Sequence, residues 1–401
     1  MSLNRPRPDS IPVAVLLTAL VAFGPISTDM YLPSLPALVT DFETDVPTVQ
    51  LTLSAFMVAF ALSMLVYGPL SDRYGRRPVL LGAVALYVVS SIACVFAPTI
   101  EALVVARVFQ AMGCCAGPVL GRAVVRDVYG RDRAAQVLSY MGTAMALAPA
   151  VGPIAGGWLQ VMFGWHAVFV VLSLFSLIAL VGTYFMLDET NAHRNPYATS
   201  PKGILRNYAA LLSHRVYVGY LATIAACYCV IFSFISGSSF VLIEVVGLSP
   251  DLYGYCFATI VVGYMTGTFI SGRFGKAVGG ERLILIGGTL GALGGGIMAF
   301  FAWTDQVTVL TIVLPQMLAM VGVGFVFPNS QAGAIGPFPE MAGAASALVG
   351  FFQMGVASVV GLAIGHAFDG TARPLATGVA VSGFLMLAFF LTLVWPVRRR
   401  A

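Results

Sequence analysis

Charge is what this chain of 401 residues has least of: 9% of its residues are Asp, Glu, Lys or Arg, while 59% are hydrophobic. Soluble domains carry roughly 25% charged residues, and no water-soluble fold covers so much apolar surface, which excludes a soluble enzyme or binding module. Histidine is scarce, and the six cysteines, Cys94, Cys114, Cys115, Cys227, Cys229 and Cys256, all fall in long apolar runs with no His or Asp at ligand spacing. Neither a zinc site nor a disulfide framework is supported. No apolar run carries a paired-acid, His-rich or nucleotide-binding constellation, and GRFGKA from Gly272 lacks the spacing of a phosphate loop. A membrane enzyme or channel is thereby disfavoured. The net charge of +4 is too modest to argue for nucleic acid.

What remains is about twelve apolar segments, each long enough to cross a hydrocarbon core that needs about 20 helical residues. They fall near 12–39, 48–67, 79–97, 99–121, 137–157 and 167–187, then 217–243, 254–271, 283–302, 307–328, 343–366 and 375–395. The first follows Arg5 and Arg7 like a signal peptide, but no small-residue cleavage pattern closes it, so it reads as the first span. Of the 21 Lys and Arg residues, 19 lie in the N-terminal arm, the even-numbered loops or the tail with Arg398, Arg399 and Arg400, and only Arg373 lies in an odd-numbered loop. The positive-inside rule then places both termini in the cytoplasm.

The chain divides once, into 1–187, a polar linker 188–215, and 216–401. Within the linker Ile204, Leu205, Tyr208, Leu211 and Leu212 recur at helical spacing beside Lys202, Arg206 and Arg215, the pattern of an interfacial helix. Each flanking part holds six spans. The turn GPLSDRYGRRPVL, Gly68 to Leu80, packs four charges between two apolar runs, and SGRFGKAVGGERL, Ser271 to Leu283, takes the same place in the second part without the acidic residue. Two six-helix bundles related by a repeat are expected, an all-α integral membrane fold.

The order G-x-L-x-D-R-x-G-R-R-P of the first turn resembles the loop between the second and third helices of the major facilitator superfamily. That resemblance assigns Gly68, Asp72, Arg73, Gly75, Arg76 and Arg77 to a cytoplasmic gate, with Asp72 closing against the start of the eleventh span and Arg76 against Asp127. Residues 333–342 hold no Lys or Arg, so the positive end of a helix dipole and its free amides are the partner left for Asp72. ALAPAVGPIAGG, Ala146 to Gly157, resembles the fifth-span antiporter motif at Pro149, Gly152, Pro153, Gly156 and Gly157. Physically it is a kinked seam along which helices approach closely, and generic packing explains it equally well.

Two charges fall within spans, where an ionised side chain costs roughly 3 kcal/mol and is functional by default. Asp29 lies ten residues before Val39, hence about 15 Å deep, and Arg107 eight after Thr99, about 12 Å deep from the same face. The two are expected to face one cavity at one level, or else to form a static pair that locks two helices. Desolvation favours the neutral carboxyl and a nearby guanidinium the charged one, so hydration decides whether the proton is held. Tyr31, Gln110, Tyr228, Gln316, Asn329 and Gln353 are further candidates for the cavity wall.

LVVARVFQAMG, Leu103 to Gly113, matches the superfamily's fourth-span motif at Arg107 and Gln110, with Ala111 in place of its glycine. TDMYLPSLP, RDVYG (Arg126 to Gly130), GWHAVF (Gly164 to Phe169) and FPEMAGAASAL (Phe338 to Leu348) together resemble the Bcr/CflA branch of drug:proton antiporters, named for bicyclomycin and chloramphenicol resistance. The resemblance implies export of small apolar antimicrobials across the bacterial inner membrane by a monomer, driven by the proton gradient without a cofactor. Its partners would be a drug, protons and the bilayer. The acid that some multidrug relatives carry earlier in the first span is absent between Ile11 and Thr28. A proton-coupled transporter of a physiological metabolite on the same fold remains the alternative.

Overall fold

The computed structural model describes residues 9–129, 131–192 and 194–398, and among them all regular structure is helical. Arg5, Arg7, Arg399 and Arg400, counted above for orientation, and Gly130 of the RDVYG motif lie outside the described residues. Among the described residues eleven helices are long and apolar enough to cross a membrane, and Ile11–Val21 with Phe23–Asp41, bent by 41°, makes a twelfth when the pair is taken as one span. In hydrocarbon every backbone donor and acceptor must be satisfied within the protein, and the helix does this segment by segment.

Spans 2 to 6 are Val46–Tyr74, Arg76–Val95, Ile100–Val128, Arg131–Phe163 and His166–Met186. Spans 7 to 12 start at Arg215, Pro250, Gly280, Val309, Ala342 and Arg373, and spans 7 and 12 end in π-helical turns at Phe240–Val245 and Phe390–Val394. The expected first span, 12–39, is not continuous. Pro25 has no N–H to give the carbonyl one turn earlier, which bends the helix at Ala22, and after Asp29 the chain passes through the 3₁₀ turn Leu32–Ser34 containing Pro33. Asp29 thus ends a short helical segment between two prolines. Span 4, expected to stop at 121, runs on to Val128, so Arg122 and Arg126 belong to the helix and not to a loop.

The repeat is written in the helix ends. Gly75 and Gly279 occupy the turns after spans 2 and 8 with φ of 105° and 87°, a backbone region closed to most side chains. Thr99 and Thr308 cap spans 4 and 10 by accepting the Ala102 and Thr311 amides. Packing repeats likewise: span 2 lies on 4 and span 3 on 4 and 6, as span 8 lies on 10 and span 9 on 10 and 12. Across the middle, span 2 packs on 11 and span 5 on 8.

The linker helix is Pro201–Leu212. Its apolar face was expected on the lipid interface, but it is divided: Leu211 is buried and the helix packs on spans 7 and 11, Ile204 and Tyr208 line the rim of the central cavity, and Leu205 is exposed.

Close approach in the interior depends on residues without side chains. A Cβ at Gly156 would overlap the Met30 carbonyl oxygen, whereas one at Gly142, on the same span, would meet nothing within 4 Å. Overpacking of this kind costs about 1–3 kcal/mol or more. Gly156→Leu should therefore lower the melting temperature of the detergent-solubilised protein, and Gly142→Leu should not; equal melting temperatures would show that span 5 does not seat against the first span.

Candidate functional site

A cavity of about 1120 Å³ lies between the two sets of six spans. Its wall includes Asp29, Phe56, Phe60, Pro149, Tyr228, Phe257, Gln316 and Gln353, and its rim, at the end that carries the linker, includes Asp72, Arg76, Asp127, Asn207, Tyr208 and Glu340. The opposite end is shut. There Gln50 of span 2 is buried between spans 7 and 11, its Nε2 donating to the Ser236 carbonyl while Ser236 Oγ donates to Gln50 Oε1 at 2.9 Å and to the Gly361 carbonyl at 3.2 Å. Access is therefore one-sided, at the linker end.

Asp29 is 3% exposed and lines this cavity. Its Oδ1 accepts the Thr28 hydroxyl at 3.1 Å, and no ion pair reaches it among the described residues. Span 5 closes in behind it, since a Cβ at Gly152 would stand 3.2 Å from Asp29 Cβ. Of the five residues of the fifth-span motif, Pro149 lines the cavity, Gly152 and Gly156 face Asp29 and Met30, and Gly157 lies against Pro250 of span 8. Pro153 offers its carbonyl oxygen to the close approach of Gly254 on the same span.

Arg107 does not share the cavity, contrary to the expectation from depth. It is fully buried behind the first span, where Nη1 donates to the Ser27 carbonyl at 3.1 Å and to Gln110 Oε1 at 2.6 Å. The rings of Phe56, Tyr31 and Phe169 surround its guanidinium carbon at 4.2, 4.9 and 5.9 Å. Counting residues along two helices gives level but not direction. Asp29 is two positions beyond Ser27, a turn of about 200° about the axis, so the carboxyl faces the cavity while the arginine meets the backbone from the other side. Aromatic faces and carbonyls replace a counter-ion here, each desolvated cation–π contact contributing about 2 kcal/mol. Nε and Nη2 have no hydrogen-bond partner among the described residues.

Tyr31 and Gln110 belong to that buried cage and not to the cavity wall: Tyr31 donates to Thr52 Oγ1 at 3.0 Å and Gln110 to Ser91 Oγ at 2.8 Å. Asn329 is also displaced from the cavity, holding Ser271 Oγ at 2.7 Å beside the turn at Gly280. Tyr228, Gln316 and Gln353 do line the cavity, and Gln316 Nε2 reaches the Val230 carbonyl at 3.5 Å. The aromatic residues Phe56, Phe60, Phe234 and Phe257 complete the wall and have no distinguishing signal in an apolar sequence.

At the rim, Asp72 pairs with Arg76 at 2.6 Å and Arg76 with Asp127 at 3.0 Å. Among the described residues Asp72 makes no hydrogen bond or ion pair with the start of span 11; Arg76 takes its carboxylate instead. Gly68 lines the same rim. Arg73 donates to Thr199 Oγ1 at 2.7 Å and Arg77 to the Tyr184 carbonyl at 3.0 Å. The linker supplies partners that nothing in the sequence singles out: Glu189 Oε1 accepts the Arg76 amide at 2.9 Å beside Gly75, and Asn191 Nδ2 bonds the Ser71 and Asp72 carbonyls, each at 3.2 Å. The free ends of spans 2 and 3 are satisfied in this way.

Comparison with known proteins agrees with this architecture. The chain is 30% identical over 385 residues to an uncharacterized MFS-type transporter of Bacillus subtilis (strain 168), with 95% of each chain covered. It is 29% identical over 377 residues to a bicyclomycin resistance protein homolog of Haemophilus influenzae, covering 92% of this chain and 93% of that one. The crystal structure of a D-xylose-proton symporter matches the fold with a TM-score of 0.73 at 15% identity, over 96% of this chain and 98% of the other. Together with a match to the Major Facilitator Superfamily over residues 16–362, these likenesses establish that the chain belongs to the Major Facilitator Superfamily and is a transporter.

Proposed function

We propose that this transporter exports small, mostly apolar antimicrobials of the phenicol or bicyclomycin type in exchange for protons, with Asp29 as the proton carrier. The observation that carries the reading is the isolation of Asp29: a buried carboxyl on the cavity wall, on broken helix, with a hydroxyl and no cation beside it. The other carboxyls that line the cavity, Asp72, Asp127 and Glu340, stand at its rim. A carboxyl so placed is neutral when the cavity is filled by apolar substrate and ionises more readily when water enters. Substrate and proton release then exclude each other in a single site. The name of the Haemophilus relative supports the substrate class.

In this reading the linker end is cytoplasmic, the membrane is the bacterial inner membrane, and the cavity is captured open to the inside. A monomer carries the cycle without a cofactor. Alternating access rocks the two halves about the contacts of span 2 with 11 and span 5 with 8, the mode of repeat-built carriers.

Asp29→Asn, assayed in liposomes with an imposed pH gradient, should lose proton-driven export of phenicols while inserting and melting as the wild type does. Retained pH-driven export would remove Asp29 from the proton path. Asp72→Asn tests the gate. In the open form it loses only the half-exposed pair with Arg76, about 0–1 kcal/mol, and Arg76 keeps Asp127; in the closed form it loses the proposed contact with the span 11 amides, about 0.3–2 kcal/mol. The closed form suffers more, so distances between spin labels on the linker ends of spans 2 and 11 should shift toward the open population, with substrate affinity nearly unchanged. An unmoved distribution would confine Asp72 to folding or topology.

A further inference from the structure

We propose that Arg122 and Arg126 form an oxyanion site in the cavity wall, which takes the carboxylate of an amphiphilic substrate; the assignment rests on the transport reading above and adds an anionic class to its neutral, apolar substrates. Both residues line the cavity from the last turns of span 4. Four positions apart on one helix, they present two like charges on one face. Arg122 Nε donates to the Pro118 carbonyl at 2.7 Å and Arg126 Nε to the Arg122 carbonyl at 3.3 Å. Each side chain is thus turned back by one turn, away from the linker end. A basic residue that serves only orientation extends the other way, toward the interface.

The remaining nitrogens of both guanidinium groups have no hydrogen-bond partner among the described residues, and neither arginine is in an ion pair there. The carboxylates that share the cavity are engaged or stand elsewhere. Asp72 and Asp127 are held by Arg76, and Asp29 lies near the level of Arg107, fifteen residues and so about 22 Å back along span 4. Glu340, across the rim on the other half, makes no ion pair with either arginine. Two forked cations, both fixed at Nε and open at Nη, match the bidentate geometry of a carboxylate. Val119 and Ala123 of the same helix, with Val21 and Met145, give the apolar wall beside them on which the rest of such a ligand rests. The distance from Asp29 keeps the bound anion from opposing deprotonation there.

The test compares wild type with Arg122→Gln, Arg126→Gln, the double variant and the double Lys variant, in nanodiscs of zwitterionic lipid. Equilibrium dialysis measures binding of a fluorescent coumarin carboxylate and of its neutral primary amide, and liposome flux measures pH-driven export of both. The double Gln variant should bind the carboxylate about tenfold more weakly and the amide within about twofold of wild type; the Lys variant should recover most of the difference. Added salt should weaken only carboxylate binding in the wild type. Equal losses for both probes, no loss for either, or a wild type without preference for the carboxylate would each overturn the site. Displacement of the carboxylate by phosphatidylglycerol doped into the discs at low mole fraction would assign the arginines to a lipid headgroup and overturn it as well. If proton-driven drug export is itself the wrong reading, flux of both probes is absent while the binding difference between wild type and the Gln variant persists.

Discussion

The approach of span 5 to its two neighbours is the contact on which the arrangement rests. Gly152 and Gly156 bring its backbone against Asp29 and Met30 in the first span, and one residue further Gly157 meets the Pro250 carbonyl of span 8 across the midline. Gly254 returns the contact from span 8 to Ile154. Dispersion and small-residue fit drive helix association in lipid, where no hydrophobic force separates helix from solvent, so these positions set both distance and register. They also join the carboxyl to the interface between the halves: a shift of the first span at Asp29 is felt by the helix that forms half of the span 5 and span 8 contact. No longer path is required.

The two halves share a scaffold and differ in what it carries. Thr99 and Thr308 start spans 4 and 10 in the same way, and eight residues after each cap stand Arg107 and Gln316. The first is buried in a cage of rings against the Ser27 carbonyl, and the second reaches the cavity with Oε1 unpartnered among the described residues. At the turns after spans 2 and 8 the same glycine geometry recurs, but Asp127 grips Arg76 in one and Asn329 grips Ser271 in the other. Charge is concentrated in the N-terminal half, and the C-terminal half lends the cavity amides and aromatic rings.

The number of spans and the repeated turns were legible because hydrocarbon imposes length and apolarity on each segment, and because a glycine turn with four charges has few alternatives. What hydropathy cannot report is direction. Asp29 and Arg107 lie at one level in the chain and on opposite sides of a helix, a difference of two residues at Ser27. The extension of span 4 to Val128 was hidden for a related cause: Arg122 and Arg126 end the apolar run, yet inside the helix they face the open cavity. The bend at Ala22 was readable in Pro25. The linker partners Glu189 and Asn191 were not, since any acid or amide after span 6 would look the same until the turn at Gly75 is placed.

The linker also limits how far the halves can travel. Its first part is fastened to the N-terminal half through Glu189, Asn191 and the Asn195 amide on the Asp72 carbonyl at 3.0 Å, and its helix from Pro201 rides on spans 7 and 11 of the other. Only the five residues from 196 to 200 are left between the two attachments, and Arg73 holds Thr199 among them. The six Cα steps from Asn195 to Pro201, pulled straight, reach about 20 Å. The chain thus carries a leash across its own mouth, short enough that the open form has a mechanical stop, independent of lipid, substrate or proton.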